Sequence, residues 1–339
     1  MSAFRPYLNK AASGETLARD EMRAAIGLLL DGAASEIETA GFLMALRARG
    51  ETIEEIAAAA EAMRDKAVKV AAPAGAIDTC GTGGDGADTF NISTAVALVA
   101  AGAGAKVAKH GNRSASSKSG SSEVLEALGV NLAADPSVIA REIEEAGVGF
   151  MFAAYHHRAV ANVAGVRKAL GVRTLFNLLG PLSNPAGAKR QVMGVFSRDL
   201  IEPIAGALLM LGAERAWVVH GADGLDELTT TGPSFVAEVK NGAVRAFTIQ
   251  PSDAGVPLST RDALKGGDPS DNAEAIRDLL AGQKSAFRDI VILNAAAALV
   301  VAGLADDLKQ GAALAAQSID DGRAQTALAK LVAISNGSA

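Results

Sequence analysis

The chain has 339 residues, 49% of them hydrophobic, enough to bury a sizeable core in two ordinary domains or one large one. Its formal net charge of −6 argues against the broad basic footprint of a nucleic-acid binder, although local basic pockets remain compatible with it. Cys80 is the single cysteine, so an intramolecular disulfide is excluded, and the polar start after Met1 lacks the apolar core of a secretory signal; both fit a cytoplasmic protein.

The first 70 residues read as a small helical domain. Met22, Ala25, Ile26, Leu29 and Leu30 recur at helical spacing and form one apolar face. Ser35 with Glu38, and Thr52 with Glu55, have the spacing of capping boxes, and Gly50 stands where the helix begun at Ser35 should stop. After Pro73 the pattern changes. Short apolar runs at 77–80, 106–108, 149–153, 191–196 and 215–220 read as strands, with helical patterns at 93–101, 138–146 and 200–211 between them. This alternation predicts an α/β domain over 71–339, with a mostly parallel sheet flanked by helices. Part of the helical segment near 157–190 is expected to join the small domain. Asn241-Gly242, between apolar runs at 236–239 and 244–247, signals a hairpin and makes the sheet mixed. The tail from Asn272 is helical again. Its apolar stretch from Ile290 to Ala302, interrupted by Asn294, is too short to span a membrane and reads as a buried helix.

Two loops carry the chemistry. Residues 78–85 (DTCGTGGD) follow a predicted strand and lead to a helix near Asn91. Glycines without Cβ let a backbone approach a phosphate, and a helix N-terminus offers unpaired N–H groups. Hydroxyls of Thr89, Ser93 and Thr94 add donors or a metal ligand. Such turns also occur without a ligand, and this one fits neither the P-loop, because Asp85 follows Gly84, nor the GxGxxG spacing of dinucleotide folds. The second loop, from Lys109 to Ser122, gathers three cations, several hydroxyls and two glycines after another strand. Two donor-rich loops at strand carboxyl ends suit a ligand with several phosphates, and Mg²⁺ with its preference for oxygen ligands suits such a ligand. Asp226 and Glu227, after the strand ending near His220, are candidate metal carboxylates, although an acidic pair of this kind often only caps a helix.

Together with NIST at 91–94, KHGNRSASS at 109–117, RTLFNLLGPLSNP at 173–185 and GADGLDELT at 221–229, the glycine turn resembles the anthranilate phosphoribosyltransferase family of the nucleoside phosphorylase/phosphoribosyltransferase fold. The resemblance implies transfer of a phosphoribosyl group from phosphoribosyl pyrophosphate to the amine of anthranilate, in tryptophan biosynthesis. It places Gly81, Gly84, Asp85, Thr89, Asn91, Ile92, Ser93 and Thr94 on the donor. Lys109, His110, Gly111, Asn112, Arg113, Ser114, Ala115, Ser116 and Ser117, with Ser121, are to close over it. It gives Mg²⁺ the ligands Ser93, Asp226 and Glu227. Anthranilate falls to Gly81, Asn112 and Arg167, with His110, His157 and Pro181 along its path. An arginine grips a benzoate carboxylate with paired charged hydrogen bonds, so Arg167 suits that role; otherwise it is a surface residue of a helix over 157–170. No general base is assigned. The resemblance also implies a homodimer joined through the amino-terminal helices, with apolar surface from residues 22–30 and 42–46.

Ala154, Arg158 and Gly165 stand where the family often has proline, which leaves the details of the acceptor path open. A pyrimidine nucleoside phosphorylase would share the fold, and a nucleic-acid-binding relative would lack the acidic pair and carry a basic surface. The KHGN string and the Asp226, Glu227 pair favour the pyrophosphate donor over both.

Overall fold

The computed structural model describes residues 2–113 and 118–337. The amino-terminal helices follow the apolar spacing closely. Met22, Ala25, Ile26, Leu29 and Leu30 are the buried residues of the helix Arg19–Leu30. Both capping boxes form, at the starts of helices Glu36–Arg49 and Ile53–Lys66, where Ser35 and Thr52 hydroxyls accept the main-chain N–H of Glu38 and Glu55. Gly50 ends the first of these with φ +87, a conformation that costs glycine little. These helices share an apolar cluster with Val163 and with Leu175, Phe176 and Leu179.

Among the described residues, seven strands form one sheet: β1 (Ile77–Asp78), β2 (Val107–Gly111), β3 (Val148–Phe152), β4 (Arg190–Gly194), β5 (Arg215–Gly221), β6 (Ser234–Lys240) and β7 (Ala243–Ile249), in the order β3-β2-β1-β4-β5-β6-β7. The first five run parallel and the last two are antiparallel. Asn241 and Gly242 turn the hairpin with φ +53 and +76, the left-handed pair that a two-residue turn requires. Side chains alternate across the sheet. Val192, Trp217 and Val219 join helices Ile92–Gly102 and Ala286–Ala302 in one core, while Met193, Ala216 and Val218 face the helix Ile201–Met210 and the amino-terminal layer. Strand order reverses about β1, so a crevice opens at the carboxyl ends of β1 and β4.

Four expectations need correction. The first strand stops at Asp78 rather than Cys80, because the next carbonyls leave the ladder: that of Thr79 accepts Lys109 Nζ at 3.2 Å and that of Cys80 accepts Gln191 Nε2 at 3.4 Å. Lys109, His110 and Gly111 belong to β2 and not to the following loop, since their pairing with Phe150, Met151 and Phe152 continues. The helix predicted at 138–146 is α-helical only over Pro136–Arg141 and widens to a π-turn over Glu142–Ala146. Finally, His157 lies outside the helix predicted at 157–170: a 3₁₀ turn Arg158–Val160 precedes the helix Ala161–Leu170, and a second helix spans Phe176–Leu182. Among the described residues no helix is long and apolar enough to cross a membrane.

Candidate active site

The glycine turn after β1 takes its shape from what it must accommodate. Gly83, Gly84 and Gly86 have φ of +62, +76 and +70. Gly81 lacks positive φ but has no room for a side chain, since a Cβ there would lie 2.8 Å from Asp226 Oδ2. Across the crevice, Asp226 Oδ2 accepts the Gly83 N–H at 2.7 Å, and the Asp226 N–H donates to Asp85 Oδ2 at 3.3 Å. The acidic pair after β5 is thereby pinned to the turn after β1, a partnership that spacing alone does not reveal.

Glu227 lies beside Ser93 at the start of the helix Ile92–Gly102, near enough for the Ser93 main chain to favour its charged form. Lys109 Nζ donates to Ser93 Oγ at 3.2 Å and is buried beneath the turn. Burial raises Asp226 to about 7, and the neighbouring Asp85 charge adds to this. Burial, with Asp226 beside it, also pushes Glu227 well above the ordinary carboxylate range. Successive carboxylates with Lys109 nearby suit a divalent cation, and the donor atoms of Ser93, Asp226 and Glu227 are all hard oxygens. Among the described residues, only Asp78, Cys80 and His110 bring three acidic, histidine or cysteine ligand atoms within 4.8 Å of one another. Asp85, Asp226 and Glu227 therefore do not close into a complete cage, which fits Mg²⁺, an ion usually held by one or two carboxylates and the phosphates of a substrate.

The other donor-side candidates divide. Asn91 ties segments together: its Oδ1 accepts Ser119 Oγ at 3.0 Å and Asn272 Nδ2 at 2.8 Å. Ile92 is a core side chain, and the Thr94 hydroxyl is buried with no hydrogen-bond partner among the described residues. Thr89 forms a bridge to Lys265. Gly111 admits Ser121, whose Oγ would lie 2.4 Å from a Cβ there and donates to the Asn112 carbonyl at 3.3 Å. Arg113 is exposed and pairs with Glu126 at 3.3 Å. Ser114, Ala115, Ser116 and Ser117 lie outside the described residues.

On the opposite face of β1 and β2 lie the residues expected on the acceptor side. His110 is buried, its Nδ1 3.1 Å from the Gly180 carbonyl in the helix Phe176–Leu182. That carbonyl fixes the proton on Nδ1 and leaves Nε2 as an acceptor. His157 stacks edge-on against it with ring centroids 5.0 Å apart. Burial holds both neutral, His110 well below its ordinary range and His157 at about 4, and each Nε2 is buried without a protein partner. Pro181 is buried in the same helix, and its carbonyl accepts Gln191 Nε2 at 2.9 Å. Arg167 is half-buried with its guanidinium 5.5 Å from the centre of the Phe176 ring. Among the described residues that guanidinium has no hydrogen bond or ion pair, so it is free to take an anionic ligand.

These two faces meet known proteins throughout. Residues 5–67 match the helical bundle domain of a glycosyl transferase family, and residues 74–325 match its a/b domain. An anthranilate phosphoribosyltransferase from Parvibaculum lavamentivorans is 57% identical over 99% of both chains. The chain belongs to the anthranilate phosphoribosyltransferase family. A relative of that name from Rhodospirillum rubrum is 59% identical over 95% of this chain and 93% of its own. The crystal structure of the Thermus thermophilus enzyme superposes with a TM-score of 0.93 at 46% identity, covering 97% of this chain and 99% of its own. The Saccharomyces cerevisiae enzyme in complex with phosphoribosyl pyrophosphate and Mg superposes at 0.90 with 27% identity, each chain covered to 98%.

Several residues that shape the family's site in this chain were not singled out from the sequence. Gly194, at the end of β4, leaves room for the Asp226 main chain, from which a Cβ would lie 1.4 Å. Asp78 is buried and raised to about 6, yet Asn184 Nδ2 and the His110 N–H both donate to it, at 2.6 and 3.1 Å. Asn294, read as an interruption, clamps Leu228: its Oδ1 accepts the Leu228 N–H at 2.9 Å and its Nδ2 donates to the Leu228 carbonyl at 2.8 Å. The interruption of an apolar run was the available signal, and its partner was not.

Proposed function

We propose that the chain transfers the phosphoribosyl group of phosphoribosyl pyrophosphate to the amine of anthranilate, giving N-(5-phosphoribosyl)anthranilate and pyrophosphate, as in tryptophan biosynthesis. The observation that carries this reading is the half-buried Asp226 and Glu227 pair, with Asp226 fastened to the glycine turn through the Gly83 N–H and Glu227 beside Ser93 at the helix start. It provides a divalent-cation site beside a phosphate cradle, which a non-catalytic nucleic-acid binder does not need. The unpaired Arg167 and the two neutral imidazoles supply the acceptor side, and this favours an aromatic carboxylate over the nucleoside of a phosphorylase.

In this mechanism the C1–O bond to pyrophosphate breaks, the amine nitrogen bonds to C1, and the amine loses a proton. Ser93, Asp226 and Glu227 would hold Mg²⁺, which neutralises charge growing on the leaving pyrophosphate. Gly81, Gly84, Asp85 and the residues 91–94 would hold the donor from the turn and the helix start; of residues 109–117, expected with Ser121 to close over it, Lys109 lies beneath the turn and 114–117 lie outside the described residues. Arg167 and Asn112 orient anthranilate, whose amine is directed to C1 past His110, His157 and Pro181. Positioning of two reactants supplies much of the rate, so no strong base is demanded. We assign the small domain to residues 1–70 with part of the segment 157–190, the large domain to 71–339, and a homodimer through the amino-terminal helices.

The residues nominated for that dimer surface need restating. Met22, Leu29, Leu30, Phe42, Leu43 and Leu46 are buried within the protomer, whereas Ile37 and Met44 on the helix Glu36–Arg49 are 85% and 37% exposed. Incubating the protein with phosphoribosyl pyrophosphate, anthranilate and Mg²⁺ tests the activity: anthranilate fluorescence should fall, and chelation by EDTA should stop it. No loss of fluorescence, or turnover undiminished by EDTA, refutes the reading.

A further inference from the structure

Arg173 belongs to neither substrate set above, yet its side chain touches the donor turn. Its Nη2 donates to the Gly84 carbonyl, and its guanidinium lies 4.1 Å from the centre of the Phe196 ring. Phe196 is tied to the same turn. Its N–H donates to Thr82 Oγ1 at 3.1 Å, and the Thr82 N–H donates to the Gly194 carbonyl at 2.9 Å. From the amino-terminal layer, Arg47 of the helix Glu36–Arg49 donates to the Arg173 carbonyl. One residue thus links the helical layer to the turn.

The geometry has a consequence for the donor. A peptide is planar and trans, so its C=O and N–H point in opposite directions. Fixing the Gly84 carbonyl toward Arg173 turns the Asp85 N–H the other way. Gly84, with φ +76 and no side chain, has little of its own to hold that peptide in place. The guanidinium also sits close: a Cβ on Gly84 would lie 3.8 Å from both Arg173 Nε and Nη2. Among the described residues no carboxylate pairs with Arg173, so none of them neutralises its charge. A surface arginine merely resting on a phenylalanine would not need the Gly84 bond or the Arg47 buttress.

We infer that Arg173 is a positioning residue for the donor: it latches the Gly84–Asp85 peptide with its N–H turned to the pyrophosphate group and sets an unneutralised positive charge beside it. This deepens the donor reading above and rests on it.

The test is steady-state kinetics, with phosphoribosyl pyrophosphate and anthranilate varied in turn, on wild type, Arg173→Ala, Arg173→Lys and Arg47→Ala. Losing a charge-assisted bond of this kind is expected to raise the KM for the donor about tenfold or more in Arg173→Ala. The KM for anthranilate should change by less than about twofold. Arg173→Lys should recover part of the loss by keeping the charge, and Arg47→Ala should show a smaller rise on the same substrate. Thermal midpoints should stay at the wild-type value, because the Arg173 side chain is exposed. An unchanged donor KM in Arg173→Ala, or equal rises for both substrates, overturns the inference. A lysine variant no better than alanine overturns the part assigned to charge. Wild type without turnover would instead defeat the donor reading itself.

Discussion

Replacing Gly194 by alanine should disable the site while changing only one methyl group. A Cβ at this position would lie 1.4 Å from the Asp226 carbonyl oxygen and 2.5 Å from its carbonyl carbon, main-chain atoms with no rotamer to adopt. Ordinary contact needs about 3.5 Å, so β4 and the Asp226 segment must part by roughly 2 Å. Asp226 cannot yield alone, because Gly83 holds its carboxylate at 2.7 Å and Asp85 accepts its N–H at 3.3 Å. Displacement of about 1 Å in a catalytic group already costs on the order of a hundredfold, so kcat/KM should fall by at least about that factor. The strain should also lower stability by about 1–3 kcal/mol. The assay is loss of anthranilate fluorescence, run beside a thermal melt. Gly232→Ala is the control, since a Cβ there meets nothing within 4 Å and the residue lacks positive φ. A Gly194→Ala enzyme with wild-type kcat/KM and wild-type melting would show that the Asp226 main chain is not held where the reasoning requires.

Three further outcomes are expected. Arg167→Ala should raise the KM for anthranilate about ten- to a hundredfold while hardly affecting aniline, which lacks the carboxylate; equal losses with both acceptors would refute the carboxylate role. Glu142 is buried on the π-turn, its carboxyl raised by desolvation from 4.5 to about 8 although the nearby Phe150 main chain opposes the shift. The folded state keeps a proton that the unfolded chain releases, so stability should fall as pH rises from 4.5 to about 8. Glu142→Gln should flatten that slope, an effect on the order of 2–4 kcal/mol in urea titrations; identical slopes in both proteins would refute it. Light scattering should give a dimer of about twice 34.3 kDa, and Ile37→Glu should shift it toward monomer; a wild-type monomer at working concentration would refute the dimer.

Much of this protein was legible along the chain because local physics fixes it. The five apolar residues of Arg19–Leu30, the two capping boxes and the Asn241-Gly242 hairpin each depend on neighbours within a few positions, and each forms as read. The glycine turn and the acidic pair were visible for the same reason: their residue types announce phosphate and metal chemistry. Tertiary structure decided what those groups meet. Lys109 and His110 read as loop because they are polar, yet pairing with β3 keeps them in a strand, facing Ser93 on one side and Gly180 on the other. Gly83 and Asp226 are 143 residues apart, and their contact exists only because parallel strands bring β1, β4 and β5 to a common edge. Nothing local marks Gly194 or shows what Arg173 touches, since each owes its contacts to a backbone that arrives from elsewhere in the chain.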